Sequence, residues 1–395
     1  MQKKLSIRPL ESGNQKIRVL LLLGTSHGYG RLLIDGIAQH LYECGCEADF
    51  DFRGHLEAIP SWIQDWHGDG IIVRHHLPET FDLLNRMAIP YVKLNCPEMP
   101  SDVDVDEDGV GETAISYFQE RGFEHFAYFA QCNQYWTRRR RNGIVEAVRR
   151  IGRQCSVFVK ESAMTMPVCV WPQREQDELV DWLQSLPKPV GLVTAYDMHA
   201  KQILELCQAH GIMVPDQIAV LGINNEKWFC RMQTPPLSSI IQNGKRTGYE
   251  ASRLLLKMIR GEPLPKLPIL FPPIGVETRK STDLIATQDE DVAAAIKLIR
   301  NGSDIGLTVE EVVDSVGLSR RTLERKFKKQ CGRTLGEEII RHRIELAKDL
   351  LRTSDMPVGN ISIRLGFCSH SYFVHLFRDR TGITPTDYRN SFKMN

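Results

Sequence analysis

The chain has 395 residues, of which 42% are hydrophobic and 25% charged, with a formal net charge of +1 at pH 7. That composition belongs to a folded protein too long for one compact core, so two or three domains are expected. A charge so near zero gives no global pull toward a polyanion, and any nucleic-acid footprint has to come from local clusters of cations.

Residues 1–16 include Lys3, Lys4 and Arg8 but lack an apolar stretch ending in a small-residue cleavage site, and the run Val19 to Leu23 is too short to span a bilayer. They read as an N-terminal tail on a chain expected to stay in the cytoplasm, off any membrane. The ten cysteines show no repeated CxxC and no Cys/His spacing suited to tetrahedral zinc, so they read as buried or reduced thiols. No metal and no cofactor is expected.

From Lys16 to about Lys280 short apolar runs alternate with amphipathic helical stretches, the pattern of parallel sheets covered by helices. The first unit is a strand over Ile17 to Leu23, a loop at Gly24 to Gly28, and a helix over Arg31 to Tyr42. Its apolar positions Leu32, Leu33, Ile37 and Leu41 recur near helical spacing. Further strands are expected at residues 48–52, 70–73, 90–94, 125–130, 156–159, 190–194 and 218–222. Helices are expected at 107–120, 139–150, 175–185, 197–209 and 246–260, the last stopped by Gly261 with Pro263 beyond it. Residues 17–280 thus form one body and 281–288 a polar linker, and from Asp289 to the end the pattern is helical throughout.

The last hundred residues repeat at a spacing of fifty: Ser319, Leu323, Phe327, Gly332 and Thr334 fall on Ser369, Phe373, Phe377, Gly382 and Thr384. In each copy a helix ends at glycine (Gly317, Gly366), a tight turn follows, and a second helix starts near serine. That is a helix-turn-helix written twice. Thr308 with Glu311 and Thr334 with Glu337 have capping-box spacing, and Pro385 suits the first turn after Thr384. In the first copy, burying Leu323 and Phe327 turns Arg320, Arg321, Arg325 and Lys328 outward. Residues 319–333 hold seven Lys or Arg and one acidic residue, a density that suits phosphate contact and an arginine fork on guanine rather than a merely solvated face. The second copy presents Ser369, His370, Ser371, Tyr372, His375 and Arg378, with fewer charges. Between the copies a helix of about 18 residues, roughly 27 Å long, is expected. A spacer of that size would set two recognition helices about one DNA turn apart, approximately 34 Å.

Residues 308–392, with VGLSRRTLERKF, ELAKDLL, ISIRLGFCSHSYFVHLFR and GITPTDYR, resemble the DNA-binding module of the arabinose-regulator (AraC) family across both repeats. The resemblance implies that Arg320, Arg321 and Arg325, and His370, Ser371 and His375, read bases. Residues 191–226, GLVTAYDMHAKQILELCQAHGIMVPDQIAVLGINNE, with PPLSSI further on, are similar to the effector domain of the lactose-repressor (LacI/GalR) family, itself like periplasmic sugar-binding proteins. The likeness covers about residues 17–279. The two modules together resemble the bacterial xylose operon regulators, which adds LLIDGI, DWHGDGII, DWLQSLP, GYEASRLL and RKSTD. The expected architecture is an α/β two-lobed, periplasmic-binding-protein-like sensor, its parallel sheets flanked by helices, followed by an all-α double helix-turn-helix domain.

Such a sensor holds its ligand in the cleft at the carboxyl ends of the strands. The family's cleft arginine in RxxG maps to Arg140, expected to clamp hydroxyls, the alternative being a solvated member of the run Arg138 to Arg141. Asp197 follows a strand at a helix start, where it either caps that helix or borders the pocket. Asn224 stands where relatives commonly carry aspartate, a change of charged acceptor to amide that alters which hydroxyls are preferred. Ser26, His27 and Tyr29 in the loop after the first strand and Arg74 after the third are candidates from the other lobe, and Trp136 is a candidate for ring stacking, with a core role as the alternative. His75 and His76 are adjacent on a strand end and point to opposite faces, which argues against a shared metal.

An enzyme is the rival class, yet GTSHGYG at residues 24–30 is neither GxxxxGK[ST] nor GxGxxG, and no GxSxG occurs. A transport binding protein would need an export signal and would lack the C-terminal module. The expected partners are a double-stranded DNA operator, a sugar effector of pentose type, RNA polymerase if the chain activates, and a second copy in a homodimer. A non-sugar metabolite and a repressor role stay open as alternatives.

Overall fold

The computed structural model describes residues 17–24, 28–52, 61–74, 78–96, 100–160, 172–266, 268–284, 287, 289–302, 306–381 and 383–393. The chain divides near Asp283 and Leu284 into two compact units.

The first unit has two lobes. In one, β1 (Arg18–Leu23), β2 (Glu47–Phe52), β3 (Gly70–Val73) and β4 (Tyr91–Lys93) form a wholly parallel sheet in the order β2-β1-β3-β4. Parallel strands covered on both faces must be apolar along their length, and every residue of β1 after Arg18 is buried. Leu20 and Leu22 pack with Ile71, Val73, Phe81 and Leu84, the last two from α2 (Pro78–Met87). Against the same lobe, α1 (Gly28–Glu43) packs on α8 (Gly244–Arg260). The other lobe contains β6 (His125–Ala130), β7 (Cys155–Val159), β8 (Val190–Thr194), β9 (Ile218–Ile223), β10 (Ser238–Ile241) and β12 (Gly275–Glu277), in the order β12-β10-β9-β8-β6-β7 with β12 alone antiparallel. Its helices are α3 (Glu107–Gln119), α4 (Tyr135–Arg150), α5 (Gln173–Ser185), α6 (Asp197–Ala209) and α7 (Lys227–Met232).

Three crossings join the lobes: from β5 (Val103–Val105) into α3, from β10 back into α8, and from β11 (Ile269–Phe271) into β12. β5 and β11 pair with each other in parallel. At three residues each, these crossing strands carry too little alternation to be seen in the sequence. Two expectations change. The first helix begins at Gly28, so Tyr29 is a helix residue and not part of a loop. The expected linker, residues 281–288, starts later, because Ser281 and Thr282 are fully buried and the Ser281 hydroxyl donates to the Val220 carbonyl at 2.6 Å.

The second unit is helical: α9 (Glu290–Gly302), α10 (Val309–Val316), α11 (Arg320–Cys331), α12 (Leu335–Thr353), α13 (Val358–Arg364), α14 (His370–Thr381) and α15 (Pro385–Lys393). Both expected capping boxes form, at Thr308 with Glu311 and Thr334 with Glu337. Both turn glycines take the left-handed conformation that a side chain resists, Gly317 at φ 76° and Gly366 at φ 70°. Two cores result, one holding Val312, Leu323, Phe327 and Leu335, the other Ile361, Leu365, Phe373 and Phe377. α12 runs 19 residues, about 28 Å at the usual rise.

In the first unit α1 and α8 touch backbone to backbone, because a Cβ on Gly248 would stand 1.9 Å from the Leu33 carbonyl oxygen and one on Gly36 1.9 Å from that of Lys245. Gly248→Ala is therefore expected to force these helices apart and destabilise the sensor by about 1–3 kcal/mol. Thermal unfolding should show the sensor transition lowered and the helical unit's transition unmoved; an unchanged sensor midpoint would refute this close packing.

Candidate functional site

The cleft between the lobes is lined by ionic and amide side chains that hold one another. Tyr29, buried in the first turn of α1, donates its hydroxyl to Asn95 Oδ1 at 3.2 Å. Asn95 in turn donates to Asp104 Oδ1 at 2.6 Å. Asp104, on the crossing strand β5, takes a charge-assisted bond from Arg139 of α4 in the other lobe. Next to Arg139, Arg140 is buried with Glu107 from the start of α3: Nε and Nη2 donate to the two carboxylate oxygens at 2.8 and 2.9 Å. Its Nη1 donates to the Ala195 carbonyl at 2.6 Å. Arg140 therefore binds Glu107 first, and three of its five N–H groups are already engaged before any hydroxyl arrives.

Trp136 lies one turn earlier on α4, its ring 5.6 Å from the Arg140 guanidinium and edge-on to Tyr196 at 5.7 Å. Its indole N–H donates to Gln134 at 2.7 Å, so an aromatic wall faces the arginine. Behind that wall His199 is fully buried against Tyr196, and burial, reinforced by Arg140, drives its pKa down to about 3. It is a neutral packing imidazole, not a charged ligand group. On the first lobe Arg74 follows β3 and lies 6.0 Å from the Tyr29 ring, with burial lowering its pKa. Ser26, His27, His75 and His76 fall outside the described residues.

The expectation for Asp197 needs correction. Tyr196 is the cap position of α6 and has no side-chain cap, whereas the Asp197 carboxylate accepts from the Glu226 backbone N–H at 2.7 Å and from the Ser239 hydroxyl at 2.5 Å. It does not cap its own helix; it is fully buried and fixes the loop after β9. That loop carries Asn224 and Asn225 at φ 105° and 52°, positions that amides tolerate better than most side chains. The same loop delivers Glu226 across the cleft, where its carboxylate accepts from the Gly28 backbone N–H and pairs with Arg31 at 2.9 Å. Asn95, Asp104, Glu107, Arg139 and Glu226 were not singled out from the sequence. The acidic alternation VDVDED at residues 103–108 was the available signal.

The helical unit places its candidates on two recognition helices. Ser319 caps α11 by accepting from the Thr322 N–H, and Ser369 does the same for Tyr372 at 3.1 Å, so both serines act on the helix start. Arg321, Arg325 and Lys328 are exposed while Leu323 and Phe327 are fully buried. Arg320 is paired with Glu310 at 2.5 Å and Glu324 at 3.0 Å, exposed ion pairs that water and salt screen. On α14, His370, Ser371, His375 and Arg378 are exposed, and Tyr372 leans toward Phe367 with ring centres 6.4 Å apart.

Two such helix-turn-helix motifs joined by one continuous helix, with a cleft between the sensor lobes on the same chain, define a ligand-controlled DNA-binding regulator rather than an enzyme. The comparisons agree: a periplasmic binding protein-like domain matches residues 115–282 and a helix-turn-helix domain residues 312–391. The xylose operon regulatory protein of Escherichia coli strain K12 is 30% identical over 387 residues, covering 94% of this chain and 97% of that protein. Its counterpart in Haemophilus influenzae is 29% identical, covering 95% and 98%. The solved structure of a xylose-binding transcription activator superposes with a TM-score of 0.64 at 28% identity, over 96% of this chain and 99% of that one. The chain belongs to the family of xylose operon regulatory proteins.

Burial lifts the Asp197 carboxyl from 3.8 to about 6, with hydrogen bonds from Ser239 and the Glu226 N–H opposing the shift. An acid whose folded-state pKa is raised favours folding below its unfolded pKa, and ionisation withdraws that stability as pH climbs from about 4 to about 6. Melts of wild type and Asp197→Asn across pH 4–8 should show the wild type losing stability relative to the amide over that window and holding level above it. A constant difference would mean that this carboxyl ionises as readily folded as unfolded.

Proposed function

We propose that the chain senses a pentose, D-xylose or a close relative, in the cleft and activates a catabolic operon. In this reading closure of the lobes repositions the DNA units of a cytoplasmic homodimer on paired half-sites, where bound chain recruits RNA polymerase. The observation that carries it is the cleft itself: Asp104, Arg139, Glu107 and Arg140 place forked donors and acceptors beside the Trp136 ring. Sugars are held by such planar groups against hydroxyl pairs, with an aromatic face under the ring. The relatives, a xylose operon regulatory protein and a xylose-binding transcription activator, point the same way.

Asn224 favours a second reading, in which the preferred sugar is not xylose. An amide both donates and accepts where a carboxylate only accepts, so the stereochemistry of the hydroxyl it meets is open to change. Calorimetric titration of the purified chain with pentoses and hexoses should give saturable binding of one pentose. Asn224→Asp should shift the preference between pentoses by at least about tenfold, which corresponds to roughly 1.4 kcal/mol. No heat from any sugar would overturn the sugar reading.

On the DNA side α11 and α14 are proposed to enter successive major grooves, with Arg320, Arg321 and Arg325 reading bases and Lys328 and Arg378 meeting phosphates. Each well-placed arginine fork discriminates by about 1–3 kcal/mol. Replacing Arg320 and Arg321 together with alanine should weaken operator binding by about tenfold or more and leave sugar titrations unchanged. Retained operator affinity in a gel-shift assay would remove α11 from the interface.

A further inference from the structure

The two helix-turn-helix cores share no residue: Phe327 belongs to one, Phe373 and Phe377 to the other. α12 contributes Leu335 and Ile339 to the first and Ile344, Ala347 and Leu351 to the second. A continuous helix fixes an axis but does not by itself stop the second helix-turn-helix from pivoting about it. At its middle sits Arg343, whose Nη1 donates to the Gly366 carbonyl and whose Nη2 donates to the Leu307 carbonyl, both at 2.9 Å. Leu307 immediately precedes the cap of α10, in the first helix-turn-helix. Gly366 is the turn between α13 and α14, in the second helix-turn-helix. The guanidinium also lies 5.8 Å from the Phe367 ring. The two loops touch through glycines, since a Cβ on Gly366 would stand 2.7 Å from the Gly306 Cα, and both glycines have positive φ, 83° and 70°.

The geometry points to Arg343 as a brace that locks the angle and spacing between the two recognition helices, a positioning residue for DNA recognition that itself touches no DNA. A planar fork can hold two carbonyls at a fixed separation, whereas lysine offers a single point of attachment. The functional value of the brace rests on the two-groove reading above. When two modules must engage together, a rigid connection of matching span raises the effective concentration of the second contact.

The test uses the full-length chain without DNA, carrying spin labels on genetically encoded residues at the exposed positions Gln330 and Asp379. Dipolar spectroscopy should give one narrow distance in the wild type and a broadened or shifted distribution in Arg343→Met, with Arg343→Lys between them. Helical circular dichroism should be retained. A distribution in Arg343→Met as narrow as the wild type's, at the same distance, would overturn the brace; should the methionine variant not fold, the lysine variant decides by the same criterion.

A second arm uses the duplex that the wild-type chain selects from a randomised 40-base-pair library. Arg343→Met should bind it about 10- to 100-fold more weakly, a partial loss of the roughly 100- to 10,000-fold that linkage contributes. One base pair inserted between the two protected grooves should weaken wild-type binding by about tenfold and the variant by less than about threefold. Equal sensitivity of the two to the insertion would count against the brace. A wild-type footprint confined to one groove would instead sink the two-groove reading, leaving the distance measurement to decide on the brace.

Discussion

The near contact of α3 and α4 is the constraint on which the sensor's binding face depends. Gly111 and Gly143 face each other so closely that a Cβ on either would stand 2.2 Å from a carbonyl oxygen of the opposite helix. That approach brings Glu107 within 2.8 Å of Arg140 although both are buried. Burying both charges is costly, and the pair persists because the geometry is bidentate and the Ala195 carbonyl satisfies a further donor. Losing one partner would strand the other, a penalty of about 3–5 kcal/mol. Replacing Arg140 with alanine therefore perturbs folding by stranding the buried Glu107 carboxylate.

The helical unit solves a different problem, attraction to DNA by a chain whose total charge is close to zero. The solution is periodicity. Apolar residues four apart on α11, Leu323 and Phe327, are drawn into the core, and the residues between them are left outside. With arginines and lysines at those outer positions, burial of one face organises the charge of the other. Lys326 is the exception that defines the edge of this face: it turns back to Asp289 and Asp291 at 3.1 and 2.5 Å. It helps anchor α9 and takes no part in the outward cluster.

The same periodicity explains why this half was legible in the sequence. The fifty-residue repeat, the turn glycines and both capping boxes are local signals, and local signals determine helix ends. In the sensor the long βα units were legible for the same reason. The cleft was not, because Tyr29, Asn95, Asp104 and Arg139 meet only after the chain has crossed between lobes, and the crossing strands are too short to show a pattern. Asp197 was misjudged because a carboxylate at a helix start has a standard local role. Here the start of α6 is buried under the β9 loop and β10, and the carboxylate bonds to those instead.

The interlobe ties bear on how a small ligand can control this protein. Glu226 and Arg31 join the lobes at the cleft mouth, with the arginine side chain 51% exposed, and an exposed pair contributes about 0–1 kcal/mol. Asp104 and Arg139 are more deeply placed, but the arginine remains 31% exposed. Both ties keep their carboxylates largely buried, Glu226 at 16% and Asp104 at 10% exposed, while the arginines reach toward solvent. A ligand moves an equilibrium between open and closed lobes by its differential affinity for the closed state. A few charge-assisted hydrogen bonds of about 1.5–3 kcal/mol each, made when both lobes grip the same sugar, exceed what the ties contribute. In the closure mechanism proposed above, the ties across the cleft are the contacts a ligand would have to supplement, and the buried Glu107–Arg140 pair lies within one lobe.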